Sequence, residues 1–276
     1  STAVSLQQAK TFFADMGGNS SIMIKAVSGG GGRGMRSVKR IEELEEAFAR
    51  CQSEALQAFG NNDVYVEQMM SPARHIEVQI VGDGSGAVTH FYERECSIQR
   101  HFQKLVEVAP SPGLSSALRG KLIDDAIRMA EAVCYLGLGT FEFMVEADHD
   151  RDDARYAFIE ANPRLQVEHT VTEQVLGVDL VQLQLQLATG KTLAELGLKP
   201  THPAEPTGYA LQVRINMETM NPDGSVMPSA GIIAAFELPT GLGIRNESFG
   251  YAGYKPSSNF DSLLAKLIGH SSSSEF

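Results

Sequence analysis

A run of glycines beside a lysine is the first feature of the sequence that could do chemistry. Segment 29–34 reads Gly-Gly-Gly-Gly-Arg-Gly and lies between an apolar strand predicted at 22–27 and a short return at 35–38. Backbone N–H groups of glycine can approach a phosphate closely because no Cβ intervenes. Lys25 and Arg33 add positive charge. The pattern favours a flexible β-hairpin flap over a nucleotide.

Other interpretations of the glycine run compete with the flap. Gly29, Gly31 and Gly34 match the G-x-G-x-x-G spacing, but a dinucleotide fold needs a helix to open directly at that loop, and a strand-like return comes first. A Walker-type phosphate loop needs a Gly-Lys-Ser/Thr sequence, which this run lacks. A flexible linker is disfavoured because apolar strands and a lysine flank the run.

Two glutamates lie equally far from the middle of a predicted hairpin tip. Glu142 and Glu160 each stand nine residues from Arg151. Symmetric pairing of the two strands would place these like charges opposite each other, which is destabilising unless a cation lies between them. Oxygen ligands of this kind suit Mg²⁺, and Asn162 could add another. The alternative is a register offset that separates the carboxylates into solvent.

A polar strip over 162–173 precedes a predicted helix and is typical of a binding loop. Arg164 offers a planar fork for a small oxyanion such as bicarbonate, and Glu168 could act as a general base. Glu173 is interpreted as a helix-start carboxylate. His169 is interpreted as a packing or supporting residue.

Hydrophobic periodicity predicts helices and strands in a mixed order, with no internal repeat. Residues 75–80 alternate polar and apolar side chains, which predicts a half-buried strand. A subdomain change is expected near 199–206, followed by short strands and turns. The predicted helices cover 3–16, 41–59, 118–136 and 172–189, and the predicted strands cover 22–27, 35–38, 64–68, 75–80, 87–93, 140–146 and 155–160.

Composition limits the classes of function. The chain has 276 residues, 43% of them hydrophobic, and a net charge of -11 with a pI near 5.1, which argues against nucleic acid as the main partner. No apolar run reaches membrane-spanning length.

Cys51, Cys96 and Cys134 lack metal-ligand spacing and indicate a reducing compartment. Cys96 is expected to be a buried neutral thiol. The polar cluster 93–104 could be a plain charged loop. The sequence shows no Ser–His–Asp or Cys–His order that would indicate acyl-enzyme chemistry.

Several segments together resemble the biotin carboxylase family, over residues 22 to 270. The most specific is Arg164-Leu-Gln-Val-Glu-His169, since carbamoyl-phosphate synthases have a similar flap but a different sequence there. The resemblance implies an α+β ATP-grasp fold, in which two α+β subdomains hold a nucleotide between them, followed by a partial β-rich C-terminal subdomain. The segments are 25–36, 74–77, 93–104, 140–143, 162–173, 251–254 and 261–267.

The resemblance also implies a division of the chain. We expect a lid subdomain with the flap at 1–69, a core subdomain at 70–204 and the partial C-terminal subdomain at 205–276. The sequence lacks an initiator Met and ends abruptly after a strand-like run. We therefore expect a fragment of a longer polypeptide, without the family's N-terminal domain and without the end of the C-terminal subdomain.

By resemblance, one set of residues would bind the nucleotide and its metal. Lys25, Gly31 and Gly32 would bind ATP phosphates. Glu67, Gln68, Met70 and Met144 would line the adenine pocket, His75 and Gln99 would contact the nucleotide, and Glu142, Glu160 and Asn162 would hold Mg²⁺ or Mn²⁺.

A second set would carry the reaction. Bicarbonate would attack the γ-phosphate of ATP, the carboxyphosphate would break down to CO₂ and phosphate, and biotin on a carrier domain would capture the CO₂. The implied residues are Lys104, Arg164, Gln166 and Val167 for holding bicarbonate, Glu168 for deprotonating it, and Arg214 for stabilising the enolate form of biotin.

The resemblance implies partners as well: a biotin carboxyl carrier domain, a carboxyltransferase domain and a homo-oligomeric full-length protein, in the cytoplasm or the mitochondrial matrix. Phe102 and Gln68 depart from the family pattern, which puts their nucleotide contacts in doubt. Segment 214–220 looks most like the large single-chain acyl-CoA carboxylases, and pyruvate carboxylase and urea carboxylase stay open as alternatives. Two alternatives stay open: another ATP-grasp ligase joining a carboxylate to an amine, and a nucleotide-binding fragment without turnover.

Overall fold

A computed structural model describes most of the chain, which forms two compact units. Unit 1 comprises Ser1–Ala73 with Gln99–Gln103, and unit 2 comprises Arg74–Ile98 with Lys104–Phe276. The predicted division into three domains stays a prediction. The described residues are 2–17, 21–29, 34–70, 72–100, 102–147, 152–198, 204–222, 225–229, 231–257 and 261–273.

Unit 1 packs two helices with a small antiparallel sheet in the order β2-β1-β3. Its core is formed by apolar residues of both layers, among them Ile22, Ile24 and Phe48. Helix α2 ends where Gly60 takes a left-handed conformation, which glycine adopts without steric cost. The elements are α1 Leu6–Asp15, β1 Ser21–Ala26, β2 Met35–Val38, a short 3₁₀ helix Ile41–Glu43, α2 Leu44–Phe59 and β3 Val64–Met69.

Unit 2 is built on an eight-stranded sheet in the order β12-β13-β9-β6-β5-β4-β7-β8. A two-stranded sheet pairs β10 with β11. Its strands are β4 Ala73–Asp83, β5 Val88–Arg100, β6 Gln103–Ala109, β7 Leu136–Glu146, β8 Tyr156–Asn162, β9 Tyr209–Asn216, β10 Glu218–Met220, β11 Val226–Pro228, β12 Ile244–Ser248 and β13 Leu263–Ser271. Its helices are α3 Ser116–Ala132, α4 His169–Leu176 and α5 Leu180–Ala188.

The two faces of strand β4 carry different chemistry. Ile76, Val78 and Ile80 point to one face and pack with the apolar side of α3. Glu77 and Gln79 point to the other face because side chains alternate along a strand, yet both are fully buried. The prediction of a half-buried strand is therefore wrong, since the polar face is covered as well.

Other sequence expectations need correction. The helix predicted over 172–189 is two helices, because Gly177 takes a left-handed conformation and Asp179 caps the next helix through the Gln182 amide. The helix predicted to reach residue 136 ends at Ala132. The chain then turns through Cys134, which has a positive φ, into β7.

Segment 93–104 is not a charged loop in the structure. Its residues lie mainly in β5 and β6. The paired strands therefore fix the positions from which their side chains project. Strand β6 has no counterpart among the predicted elements. Among the described residues, no helix combines the length and the apolarity that a membrane crossing requires.

Candidate active site

A largely buried lysine on β6, with 14% of its side chain exposed, joins carboxylates from three different parts of unit 2. The Lys104 Nζ lies 2.5 Å from Glu77 Oε2, 2.7 Å from Glu168 Oε1 and 3.1 Å from Glu142 Oε1. Burial alone would lower the pKa of Lys104, but the surrounding negative charge raises it well above the usual lysine value. Lys104 is therefore a permanent cation at the centre of an acidic cluster.

Glu77 is held from its other side by a fully buried arginine. The Arg94 Nε lies 2.5 Å from Glu77 Oε1, and its Nη1 donates to Gln79 Oε1 and Thr172 Oγ1, both at 2.9 Å. Burial would raise the pKa of Glu77, but Lys104 and Arg94 outweigh it and lower that pKa. Glu77 is thus a buried carboxylate that fixes Lys104 in place.

Glu168 lies between two cations. Its Oε1 contacts Lys104, and its Oε2 accepts a hydrogen bond from Arg214 Nη2 at 3.0 Å. Arg214 is oriented in turn by Glu107 on β6, whose Oε1 accepts from Arg214 Nε at 2.6 Å, while Gln212 donates to Glu107 Oε2 at 2.8 Å. Burial raises the pKa of Glu107 despite the opposing charge of Arg214.

Cys96 lies in the same fully buried region. Its sulfur is within 4.8 Å of ligand atoms of Glu77 and Glu168. Burial and the neighbouring Glu77 raise the pKa of this thiol well above its ordinary value. The prediction of a buried neutral thiol is confirmed.

The predicted pairing of the two hairpin glutamates is confirmed. Glu142 on β7 is the register partner of Glu160 on β8. The Asn162 Nδ2 donates to Glu142 Oε1 at 2.7 Å and to Glu160 Oε1 at 3.3 Å, so the three side chains form one group. His75 Nε2 lies 2.5 Å from the other oxygen of Glu142.

This group fits a magnesium ion by its donor chemistry. The two carboxylates supply the hard oxygens that Mg²⁺ prefers, whereas the Asn162 amide turns its nitrogen toward them. Burial would raise the pKa of Glu142, but the hydrogen bond from His75 and the charge of Lys104 hold it at about 2. Glu142 is therefore ionised and able to bind a cation near neutral pH, while Glu160 is exposed to solvent.

The loop between β8 and α4 presents a buried donor for which the described part of the chain offers no acceptor. The Gln166 side chain is buried, and no described residue accepts a hydrogen bond from its Nε2. Its Oε1 faces Arg164 Nη1 at 3.3 Å, and Arg164 is exposed. An unpaired buried donor is costly unless a ligand or water satisfies it. The loop is thus equipped to receive an oxygen-rich ligand.

Glu173 does not lie at the start of a helix, where the sequence predicts it. Glu173 is not in the first turn of the helix but near its middle, and it is buried. Its Oε1 lies 3.0 Å from His169 Nδ1 and accepts from the Leu180 amide at 2.8 Å, and its Oε2 lies 2.8 Å from Arg245 Nη1. The interpretation of Glu173 as a helix-start carboxylate is wrong, because it is a buried ion-pairing centre.

Unit 1 places two predicted nucleotide residues together. The Lys25 Nζ on β1 lies 2.6 Å from Glu67 Oε2 on β3. Gln68 is exposed, and Met70 follows the end of β3 half-buried. Gly31 and Gly32, with Arg33, lie outside the described residues.

The remaining predicted residues lie on strands or in the binding loop. Gln99 is near the end of β5, and Met144 follows Glu142 by two residues on β7. Val167 precedes Glu168, and its carbonyl accepts from Lys266 Nζ at 3.0 Å.

Several charged residues of this site have no individual role in the sequence predictions. Arg94 could have been found, because hairpin pairing of β4 with β5 makes it the register partner of Glu77. Glu107 lies on β6, the strand without a predicted counterpart. Lys266 lies in segment 261–267, which carries part of the family resemblance but is given no role there, and Arg245 has no local signal.

Two family profiles match consecutive parts of the chain. Residues 1–196 match "Carbamoyl-phosphate synthase L chain, ATP binding domain", and residues 212–275 match "Biotin carboxylase C-terminal domain". Together they cover both the acidic cluster and the strands that carry Arg214 and Lys266.

Curated relatives and solved structures agree with these profiles. The chain is 46% identical over 252 residues to pyruvate carboxylase of Staphylococcus aureus, covering 90% of this chain and 21% of that protein. It is 47% identical over 250 residues to human mitochondrial pyruvate carboxylase, covering 90% and 20%. The chain thus spans about a fifth of the length of these relatives.

A solved structure has the same fold. It is the biotin carboxylase domain dimer of Hydrogenobacter thermophilus 2-oxoglutarate carboxylase, in complex with MgADP, ADP and bicarbonate. The TM-score is 0.89 at 36% identity, covering 98% of this chain and 57% of that one. The chain therefore belongs to the family of the carbamoyl-phosphate synthase L chain ATP-binding domain, and within it to the biotin carboxylases with their ATP-grasp fold.

Proposed function

We propose that this chain is the ATP-binding core of an enzyme that carboxylates biotin with bicarbonate, using ATP and Mg²⁺. The observation that carries the proposal is the environment of Glu168. This buried carboxylate is ion-paired to Lys104 and Arg214. It ends a loop in which the Gln166 Nε2 is buried and finds no acceptor among the residues that the structure describes. A base beside cations and a free donor is suited to binding and deprotonating a small oxyanion.

The residues of this site divide the work. Arg164, Gln166 and Lys104 hold bicarbonate, with the backbone of Val167 shaping the loop. Glu168 accepts the bicarbonate proton, which makes that oxygen a better nucleophile toward the γ-phosphate of ATP. Arg214, oriented by Glu107, stabilises negative charge on the biotin oxygen during carboxyl transfer.

Nucleotide binding falls to the residues that the family resemblance implies. Lys25, with Gly31 and Gly32, binds phosphate oxygens, and Glu67, Gln68, Met70 and Met144 line the adenine site. His75 and Gln99 contact the nucleotide. Glu142, Glu160 and Asn162 hold the metal ion, which supplies positive charge to the phosphate oxygens.

The parent enzyme would add further domains. We propose a biotin carboxyl carrier domain and a carboxyltransferase domain as partners, in a homo-oligomer of the cytoplasm or, in a eukaryote, the mitochondrial matrix. The relatives' name favours pyruvate as the final acceptor, whereas segment 214–220 favours an acyl-CoA. A carboxyltransferase assay with each acceptor decides between them.

ATP cleavage with and without bicarbonate tests the proposal. A polypeptide that carries this chain should release phosphate from MgATP faster when bicarbonate and free biotin are present. Glu168→Gln should lower that bicarbonate-dependent rate at least about a hundredfold, because the base is lost. The matched control is Glu131→Gln, at an exposed position at the end of α3, which should keep the wild-type rate.

The two alternatives predict different results in the same assay. A carboxylate–amine ligase would cleave ATP with an amine and a carboxylate substrate and would ignore bicarbonate. A nucleotide-binding fragment would bind ATP without releasing phosphate even when the family's N-terminal domain is added.

A further inference from the structure

Lys266 on β13 reaches the loop that carries the proposed base. Its Nζ donates to the Val167 carbonyl at 3.0 Å, directly before Glu168, and it lies 2.6 Å from Glu247 Oε2. The ammonium group is largely buried, with 11% of the side chain exposed. A charged donor of this kind holds a backbone carbonyl more firmly than a neutral one.

The position of Lys266 is set by the sheet. It is the register partner of Glu247 on β12 and of Arg214 on β9, so the three side chains form a row on one face of the sheet. Arg214 donates to Glu168 and Lys266 to Val167. Two adjacent cations of the row therefore bind two successive residues of the loop.

Glu247, a member of the same row, is also connected to the residue that follows Glu168. Glu247 pairs with Arg245, and Arg245 lies 2.8 Å from the buried Glu173. Glu173 contacts His169, the residue directly after Glu168, at 3.0 Å. Lys266 thus holds the backbone directly before Glu168, whereas Arg245 reaches the residue after it only through the side chains of Glu173 and His169.

We propose that Lys266, oriented by Glu247, is a positioning residue that fixes the anion-binding loop so that Glu168 stays between Lys104 and Arg214. This inference rests on the proposed function and deepens it. The Lys266 ammonium group binds the Val167 carbonyl and Glu247, so it acts on Glu168 through the backbone of the preceding residue. Displacing a catalytic group by about 1 Å can cost about a hundredfold in rate.

The test compares three lysine variants in a polypeptide that carries this chain and cleaves ATP in response to bicarbonate. Lys266→Met removes the donor but keeps the volume, and Lys266→Arg restores a charged donor. Lys191→Met is the matched control at an exposed position after α5. The measurements are kcat and the KM values for bicarbonate and for ATP, and a urea midpoint checks folding.

The expected result separates the two substrates. Lys266→Met lowers kcat/KM for bicarbonate at least about tenfold and leaves the KM for ATP within about twofold. Lys266→Arg recovers to within about threefold of wild type, since the donor returns. Glu247→Gln, which frees the lysine without removing it, gives a smaller loss and serves as the second variant if Lys266→Met is unstable.

Other results overturn the inference. An unchanged kcat/KM for bicarbonate in Lys266→Met refutes it alone. So does a KM for ATP that rises by as large a factor as kcat/KM for bicarbonate falls, because a general disruption of the fold then explains both changes. A wild-type polypeptide whose ATP cleavage ignores bicarbonate refutes the proposed function first, and the positioning role falls with it.

Discussion

The buried carboxylate of Glu173 gives the sharpest stability prediction. Burial would raise its pKa, but His169, the Leu180 amide and Arg245 lower it from 4.5 to about 2. Because the folded-state pKa is depressed, the stabilisation is fully present above the unfolded pKa near 4.5 and is lost as pH falls toward 2. A difference of this size corresponds to about 3 kcal/mol at pH 7.

Urea unfolding of wild type and Glu173→Gln measures this contribution. At pH 7 the variant should unfold with a free energy lower by about 3 kcal/mol, and the gap should narrow steadily between pH 4.5 and pH 2. Glu131→Gln, at an exposed position, should show no such narrowing. A gap that is the same at pH 7 and at pH 3 would show that the glutamate acts through packing and not through its charge.

Three further predictions concern the active site. Arg94→Met should lower the free energy of unfolding of unit 2 by about 3–5 kcal/mol in urea, since Glu77 loses a buried partner. The control Arg128→Met, which removes one partner of an exposed ion pair, should cost less than about 1 kcal/mol. Equal costs would contradict this difference between buried and exposed pairs. Glu107→Gln should lower the rate of biotin carboxylation at least about tenfold because Arg214 loses its ionic partner, and an unchanged rate would show that Arg214 is oriented without it. Glu142→Ala with Glu160→Ala should abolish the Mg²⁺ dependence of ATP binding in calorimetry, and retained dependence would place the metal elsewhere.

The sequence predicts the local parts of the site well. Equal spacing from Arg151 correctly places Glu142 opposite Glu160, although the pairing of β7 with β8 shifts by one residue between Glu142 and Phe143. The polar strip is a loop, as predicted, only over 163–168, because residues 169–173 already belong to α4. Two-residue alternation correctly places Glu77 and Gln79 on one face of β4. These features depend on neighbours within about twenty residues, where backbone geometry decides.

The long-range contacts could not be predicted in this way. Lys266 meets the Val167 carbonyl across 99 residues of sequence, and Arg214 meets Glu107 across 107. Both contacts depend on the order of strands in the sheet, which no local pattern encodes. The burial of Glu173 is unpredictable for a related reason, because its partner Arg245 lies on a strand far along the chain.

Transfer of labelled oxygen is the strictest test of the role of Glu168. If Glu168 prepares bicarbonate to attack the γ-phosphate of ATP, one oxygen of ¹⁸O-bicarbonate must stay on the released phosphate when carboxyphosphate loses CO₂. Mass spectrometry of the phosphate should show one labelled oxygen from bicarbonate with the wild-type polypeptide and almost no labelled phosphate formed by Glu168→Gln. Phosphate that is released at the bicarbonate-dependent rate but carries no bicarbonate oxygen would contradict this mechanism.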